Sequence, residues 1–192
     1  MKKIILFFCV LQYTMIAFAQ ERDACAMEVE LGAGMTFGTA KLGSAGFDGT
    51  KIGETGFIEI RYNFEKVPVD LGLHIGGTIF GRTMNETREK LNFPSGNFMV
   101  TSDYNFRSWN PDYVLFAGMG VGFAKIGNSA QIEYLGNGGY ADNGPGGSVC
   151  FMPRIGIELW RYLRLTFSYV AEERANNHFS LTIGIALCGG RK

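Results

Sequence analysis

The triplet His178-Phe179-Ser180 is the part of this sequence whose residue types most directly suggest catalysis. A histidine two residues from a serine can activate the serine hydroxyl as a base, provided that a carboxylate orients the imidazole ring. Glu172 and Glu173 lie a short segment before the triplet and are candidate carboxylates. The simpler interpretation is that these common polar residues mark the mouth of a strand, and we favour it. The elements that position the triplet decide between the two.

The other histidine, His74, is a weak candidate for a metal ligand. The chain has only 2 histidines, and its 4 cysteines do not have the spacing of a zinc site. We therefore expect His74 to be a hydrogen-bonded interior residue, and we expect neither a metal nor an organic cofactor. The glycine pairs lie inside apolar segments, so no phosphate-binding glycine loop is predicted.

The first residues have the composition of a secretory signal peptide. Lysines at positions 2 and 3 precede a mostly apolar stretch, and an A-x-A motif places the predicted cleavage between Ala19 and Gln20. A retained membrane anchor is the alternative, but the apolar stretch is short for a spanning helix. A lipoprotein signal fits less well still. We assign 1–19 to the signal peptide and 20–192 to one exported domain.

The composition of the exported chain excludes some classes of partner. Cleavage leaves 173 residues (192 minus 19), the size of a single domain. Two of the 18 basic residues are lost with the signal, so 16 basic and 18 acidic residues remain, a net charge of −2. Nucleic-acid binding requires a basic surface, so no nucleic-acid partner is expected.

Eight segments of the exported chain alternate apolar and polar residues. In the last one, Phe179, Leu181 and Ile183 alternate with Ser180 and Thr182. A period of two indicates a β-strand whose two faces meet different surroundings, and no segment has a convincing helical period. The predicted strands are 27–38, 55–64, 69–82, 98–107, 113–125, 149–160, 163–173 and 178–188.

The connections between these strands differ in length in an ordered way. The chain turns tightly after strands two, four and six, through EKVP, SWNPD and WRY. After strands one, three and five it runs through long polar segments, and the link after strand seven is short. An even number of antiparallel strands with tight turns at one end is typical of a transmembrane barrel. The predicted fold is all-β, an eight-stranded antiparallel up-and-down transmembrane β-barrel.

The polar face of these strands carries the charges, and we expect it to line the barrel lumen. Its cations are arginines, which suit enclosed bidentate ion pairs, and its many glycines leave room inside a narrow tube. Glu158 and Arg164 flank the WRY turn symmetrically and should face each other across a hairpin. We expect no charge on the apolar face within any strand. The predicted lumen charges are Glu28, Glu30, Glu59, Arg61, Asp70, His74, Arg82, Asp103, Arg107, Arg154, Glu158, Arg164 and Glu172.

Aromatic residues form two groups, one near each end of the strands. Paired aromatic belts separated by aliphatic residues are typical of the two interfaces of a bilayer. Near the tight turns lie Tyr62, Phe64, Tyr104, Phe106, Tyr113 and Trp160, and near the other end lie Phe37, Phe98, Phe123, Phe151, Tyr169 and Phe179.

The signal peptide, the eight strands and the polar Gly/Arg/Glu lumen resemble the small OmpA/OmpX-type outer-membrane barrels of Gram-negative bacteria. The last strand, TIGIALCG, also resembles the assembly signal of that family at Thr182, Gly184 and Leu187, although Gly189 stands where a final hydrophobic or aromatic residue is usual. The resemblance implies a location in the bacterial outer membrane. It also implies that outer-membrane lipid, the assembly machinery and periplasmic chaperones are partners.

Closure of such a barrel pairs strands one and eight, which brings Cys25 and Cys188 to the same, periplasmic end. The periplasm is oxidising, so a disulfide between them is one alternative and two free thiols are the other. Cys150 is the third cysteine of the exported chain.

We expect an outer-membrane barrel with a closed polar lumen and external loops, structural or adhesive rather than catalytic. The sequences of the loops do not indicate which external ligand they bind. One alternative is a small-solute channel, and another is a soluble lipocalin-type ligand-binding barrel. A third is a lipid-A-modifying barrel enzyme, some of which use a His-x-Ser pair. Against catalysis, the register places His178 and Ser180 toward the lumen rather than the lipid.

Overall fold

The structure, a computed structural model, consists of strands and their connections. Within the residues it describes, no helix has the length and apolar character needed to cross a membrane. The described residues are 27–39, 47–48, 52–64, 67–84, 90–106, 112–126, 132–135, 139–142, 146–172 and 177–187. The strands are β1 (Met27–Gly38), β2 (Phe47–Asp48), β3 (Ile52–Asn63), β4 (Val69–Met84), β5 (Lys90–Asn105), β6 (Tyr113–Ile126), β7 (Ile132–Leu135), β8 (Gly139–Asp142), β9 (Gly146–Leu159), β10 (Leu163–Val170) and β11 (His178–Leu187).

Eight of these strands close into a barrel, which confirms the predicted fold class. In chain order, β1, β3, β4, β5, β6, β9, β10 and β11 each pair antiparallel with the next. The ring is completed by β1 and β11, where Val29 pairs with Leu187 and Gly38 pairs with His178. The short strand β2 pairs with the end of β4, and β7 and β8 form a separate hairpin.

The faces of the barrel are the reverse of those of a water-soluble protein. Along β11, His178, Ser180 and Thr182 are buried, whereas Leu181 and Ile183 are about half exposed, at 54% and 51%. The described part buries 21 polar or charged side chains and only 7 apolar ones, while 33 large apolar side chains are exposed. Soluble domains bury mainly apolar residues, so the medium around this barrel must itself be apolar.

The predicted aromatic groups lie on this outer face. Eleven of the twelve residues are exposed, and Tyr169 is half-buried. Edge-on contacts join Tyr62 to Phe64 and Tyr104 to Phe106 at the tight-turn end. Except at Trp160, which lies in the turn after β9, the outward orientation follows from period two, because these aromatic residues share the parity of the aliphatic residues of their strands.

Several strands extend further toward the long loops than the sequence indicates. β5 begins at Lys90 rather than at 98, and β4 continues to Met84, so much of the predicted loop 83–97 is a hairpin. The hairpin of β7 and β8 likewise lies within the predicted loop between β6 and β9. These segments do not alternate strictly, because a strand outside an apolar layer needs only its backbone hydrogen bonds.

The pairing of successive strands is staggered, so a path of paired residues around the barrel returns to β1 at a different residue. From Val29 it passes in strand order through Ile60, Leu73, Val100, Val121, Phe151 and Ala171. Asn177, directly before β11, accepts a backbone hydrogen bond from Thr39 at 2.8 Å. Thr39 lies ten residues beyond Val29 (39 minus 29), nearer the long loops. A step from each strand to the next therefore moves toward the long-loop end, as expected for tilted strands.

One tight turn has an unusual backbone. Trp160 and Arg161, which connect β9 to β10, have φ values of 51° and 65°. Two consecutive residues with positive φ match the twist of a two-residue hairpin, but Asn-Gly is the usual sequence there because other side chains are strained. Trp160 stacks on Tyr162 with ring centroids 6.3 Å apart, so its ring extends the aromatic surface at this end.

Candidate functional site

Charged side chains from five strands, β1, β3, β5, β9 and β10, meet inside the tight-turn half of the barrel. We call this group the interior charge cluster and define it as Glu28, Glu30, Glu59, Arg61, Asp103, Arg154, Glu158 and Arg164. In each strand, alternate positions carry the polar residues and face the lumen, and we call these the positions of polar parity. Each side chain of the cluster occupies such a position and therefore points inward. The cluster brings together eight of the predicted lumen charges.

Arg154 on β9 binds two carboxylates from other strands. Its Nη1 and Nη2 donate to the two oxygens of Glu59 at 2.6 Å each. Its Nε and Nη2 donate to Asp103 at 2.8 and 2.9 Å. Two bidentate contacts use the planar guanidinium fully, an arrangement that a lysine could not make.

Glu59 on β3 is fully buried and accepts from three sides. Besides Arg154, its carboxylate lies 3.0 Å from His74 Nδ1 and accepts a hydrogen bond from Thr101 Oγ1 at 3.0 Å. The His74 ring stacks on Phe57 with centroids 5.0 Å apart. His74 is thus held by a carboxylate and an aromatic ring. Among the described residues, no group of three or more His, Cys, Asp or Glu side chains is placed to hold a metal ion.

Arg61 joins the two carboxylates of β1. It pairs with Glu28 and with Glu30, and its Nη1 lies 3.6 Å from Glu59. Asn63 Nδ2 donates to the other oxygen of Glu28 at 3.1 Å. These contacts connect β1 to β3 through side chains as well as through the backbone ladder.

Arg164 on β10 links the remaining carboxylates. Its Nη2 donates to Asp103 at 2.9 Å, and other guanidinium nitrogens lie 3.6 Å from Glu30 and 3.6 Å from Glu158. The register pairs Arg164 directly with Glu158 across the hairpin. The guanidinium carbon lies 3.8 Å from the centre of the Phe116 ring, a cation–π contact in a water-poor interior.

Carboxylates outnumber arginines in this half of the lumen. The cluster contains five carboxylates and three arginines, and Asp70 nearby accepts a hydrogen bond from Asn105 Nδ2 at 2.5 Å. Every arginine in the cluster therefore serves more than one carboxylate. Loss of one arginine should be more harmful than loss of one acid, because it leaves two or more buried charges uncompensated.

Inward-facing glycines make the space for these side chains. A Cβ added to Gly118 would lie 2.0 Å from an Asp103 carboxylate oxygen and 2.3 Å from the Ser102 carbonyl oxygen. A Cβ added to Gly184 would lie 1.9 Å from Glu30 Oε1. On the lumen face of the barrel, large charged side chains thus lie beside glycines that have no side chain, as the sequence predicts.

The upper half of the lumen, toward the long loops, is lined by uncharged polar groups. Thr78, Ser168 and Thr182 are among them, and they border a cavity of about 30 Å³, room for about two water molecules, whose lower lining includes Glu30 and Arg154. Glu172, just beyond the end of β10, accepts a hydrogen bond from Ser95 at 2.7 Å. Burial raises the pKa of the Glu172 carboxyl, and hydrogen bonds from Ser95 and Asn97 oppose that shift.

The candidate catalytic triplet lies in this upper half. His178 and Ser180 are buried and both line the small cavity, so they face the lumen as the register indicates. Glu172 is engaged by Ser95, and its backbone N–H donates to the Asn177 side chain at 2.9 Å. Glu173 lies outside the described residues.

Some predicted residues cannot be placed. Arg107, the cleavage residues Ala19 and Gln20, and the proposed disulfide partners Cys25 and Cys188 lie outside the described residues. Arg82 belongs to β4 and pairs with Leu91, but its side chain is not described.

Sequence reasoning missed several uncharged residues that contact the charges, and two charged residues on the outer face. Thr101 and Asn105 are uncharged residues of polar parity, and parity alone could have indicated them. Phe116 gives no such signal, because β6 is apolar on both faces near it. The expectation of an uncharged outer face is wrong at Lys125 on β6 and at Glu54 on β3, which are exposed with outward parity, because both positions lie at the long-loop end, where the apolar band stops.

Comparison with known proteins gives likeness only at the level of the fold. No protein-family model matches the chain, and no curated protein matches it. The solved structure of Neisserial surface protein A (NspA) superposes with a TM-score of 0.52 at 15% identity, covering 86% of this chain and 99% of that chain.

Two further solved structures are similar. For Ail of Yersinia pestis, solved in complex with the heparin analogue sucrose octasulfate, the TM-score is 0.48 at 13% identity, with 85% of this chain and 100% of that chain covered. For the N-terminal β-barrel domain of Pseudomonas aeruginosa OprF, the TM-score is 0.45 at 11% identity, with 86% and 98% covered. The closed antiparallel ring and its likeness to NspA give this chain the fold of the small eight-stranded outer-membrane barrels.

Proposed function

We propose that this protein is an integral outer-membrane barrel with a closed lumen and external loops, with a structural or adhesive role rather than a catalytic one. The interior charge cluster is the observation that carries the proposal. Arg154, Arg61 and Arg164 together contact carboxylates from β1, β3, β5 and β9, so ion pairs cross the lumen in several directions at one level.

The membrane setting is supported by the reversed faces. An exposed apolar surface of this size would drive aggregation in water, whereas in a bilayer it contacts lipid acyl chains and is not exposed to water. Each of the eight strands pairs with a neighbour on both sides, so the ring leaves no open sheet edge, which is the requirement for strands in hydrocarbon. The outer membrane is the bacterial membrane in which such barrels reside, and its assembly machinery and chaperones are the expected partners.

The closed lumen argues against solute passage. The cavity above the cluster holds about 30 Å³, and the cluster itself fills the section below it with hydrogen-bonded side chains. Opening a path would require separation of buried ion pairs, each of which is expensive to break in a low dielectric. With the lumen closed, the long external loops are the part of the protein left for contact with other molecules.

Planar bilayer recording of the purified protein tests the closed lumen. We expect no large, steady conductance from the wild-type protein. Arg61→Ala should lower stability or raise leak, because it leaves Glu28 and Glu30 buried without their main cation. Long-lived, high-conductance openings of the wild-type protein would overturn the closed-lumen proposal and make small-solute passage the better function.

Cell fractionation tests the location independently. The protein should sediment with membranes, require detergent for extraction, and migrate differently on gels before and after heating. Recovery in the supernatant without detergent would instead favour a soluble ligand-binding barrel.

A further inference from the structure

A groove of about 750 Å³ runs across the outer face of the barrel near the long loops. Its floor is formed by Gly56, Gly77 and Gly96 on three adjacent strands. Ile79 and Pro94 border it on the side of the long loops. The volume is in the range of roughly 300–1,000 Å³ that small-molecule sites occupy.

The glycines of the floor are not required by the barrel itself. The register pairs Gly56 with Gly77 and Gly77 with Gly96, and all three face outward. A Cβ added to any of them would have no described neighbour nearer than 3.7 Å, whereas one added to Gly118 in the lumen would collide at 2.0 Å. The lumen glycines make room for the protein's own side chains, so the outer ones make room for something else.

The direction of the groove follows from the register. The row begins at Ala33 on β1, passes through the three glycines and reaches Lys125 on β6. Because each paired residue lies nearer the long loops than its partner on the preceding strand, Lys125 is at the end of the row nearest the long loops. Four steps between strands span roughly 19 Å. The groove is thus a slanted slot, one residue wide, that climbs toward the long-loop end.

This shape favours a flexible chain as occupant. The face of a second barrel is rigid and convex, and it cannot enter a slot one residue wide. An extended acyl chain is narrow and apolar, and Ile58, Ile75 and Phe98 supply an apolar border along the turn side of the row.

The charges at the two ends of the groove indicate which class of lipid headgroup it favours. Lys125 is exposed, and no ion pair joins it to a carboxylate within the described part of the chain. An ammonium at the edge of an apolar band attracts an anionic headgroup. Glu54 lines the groove two strands before Gly96 and disfavours an anion at the opposite end.

We propose that this groove binds one acyl chain of an anionic, phosphate-bearing membrane lipid, whose phosphate lies against Lys125. The proposal rests on the proposed membrane location. The glycine floor sets affinity for the chain, and Lys125 sets preference for the anionic headgroup.

Native mass spectrometry of the detergent-purified full chain tests this, with dimyristoyl phosphatidylglycerol and dimyristoyl phosphatidylcholine as probes. The wild-type protein should retain the anionic lipid more tightly than the zwitterionic one. Lys125→Gln should remove about fivefold of that preference. Gly77→Leu should fill the slot and reduce retention of both lipids. Ala117→Leu is the matched control, because Ala117 has the outward parity of Leu115 and Met119 on β6 but does not line the groove.

Equal retention of the two lipids by the wild-type protein, or wild-type retention by Gly77→Leu, would overturn the proposal. Heat-modifiable gel migration of each variant shows whether the barrel has folded. A protein that does not insert into vesicles at all contradicts the membrane location, whereas one that inserts but has no lipid preference contradicts only the groove proposal.

Discussion

Arg154 on β9 holds Glu59 on β3 through two parallel hydrogen bonds of 2.6 Å, across a lumen that separates strands 95 residues apart in sequence. The same guanidinium binds Asp103 on β5, so one side chain joins three walls of the barrel. The consequences of this arrangement can be measured.

Arg154→Gln should destabilise the barrel by roughly 3–5 kcal/mol, because it leaves Glu59 and Asp103 buried without their main cation. Glu158→Gln is the matched control. Glu158 contacts Arg164 only at 3.6 Å in a half already rich in carboxylates, so its loss should change stability little. Equilibrium unfolding in urea in lipid vesicles measures both variants. Equal destabilisation would show that the excess of acid inside the lumen has no energetic effect.

Ile183→Arg should impair insertion far more than Ile52→Arg. Both isoleucines face outward, at 51% and 65% exposure, but Ile183 lies mid-strand on β11 and Ile52 begins β3 at the long-loop end. An arginine on the lipid face costs roughly 2–4 kcal/mol at the bilayer midplane and about 0–1 near an interface. The yield of heat-modifiable protein after refolding into vesicles is the measurement. Similar yields would mean that no apolar layer surrounds the middle of the barrel.

Gly118→Ala and Gly56→Ala should have opposite effects on stability. The first places a methyl group 2.3 Å from the Ser102 carbonyl oxygen, and we expect a loss of about 1–3 kcal/mol. The second meets nothing nearer than 3.7 Å and removes chain entropy from the unfolded state, so stability should rise by about 0.4–1 kcal/mol. Unfolding curves of the two variants measure the change in the free energy of unfolding that each substitution causes. A stable Gly118→Ala protein would place that position outside the packed lumen.

Arg161→Gly should stabilise the turn between β9 and β10. Arg161 has φ of 65°, a region that costs a non-glycine residue about 1–2 kcal/mol, and glycine removes that strain while keeping the aromatic contact of Trp160. Glycine also loses more entropy on folding, so the net gain should be about 1 kcal/mol or less. A rise in melting temperature in detergent is the expected result, and a fall would show that the side chain contributes more than the strain.

The sequence predicts the ring of strands and the facing of their side chains, because lipid and lumen impose a strict period of two. It does not predict strand ends such as Lys90 and Met84, where neither face is constrained by lipid. It predicts neighbours across a hairpin, such as Glu158 and Arg164, since turn position fixes register.

The partners of Arg154 were not predictable from the sequence in the same way. They depend on which strands face each other after closure and on the stagger of the ring, and these are properties of the whole barrel. Only the type of residue, an arginine at a polar parity position, indicated that it would find carboxylates.

The pairing of Val29 with Leu187 has a consequence for biosynthesis. The two residues are 158 positions apart (187 minus 29), so the ring cannot close until nearly the whole described chain has been made. A fragment that ends before β11 exposes two strand edges, on β1 and on β10, whose unpaired N–H and C=O groups are excluded from hydrocarbon. No half-barrel is therefore a stable stopping point. The nascent chain must be kept unfolded until its last strand arrives, and truncated chains should be degraded rather than accumulate in the membrane.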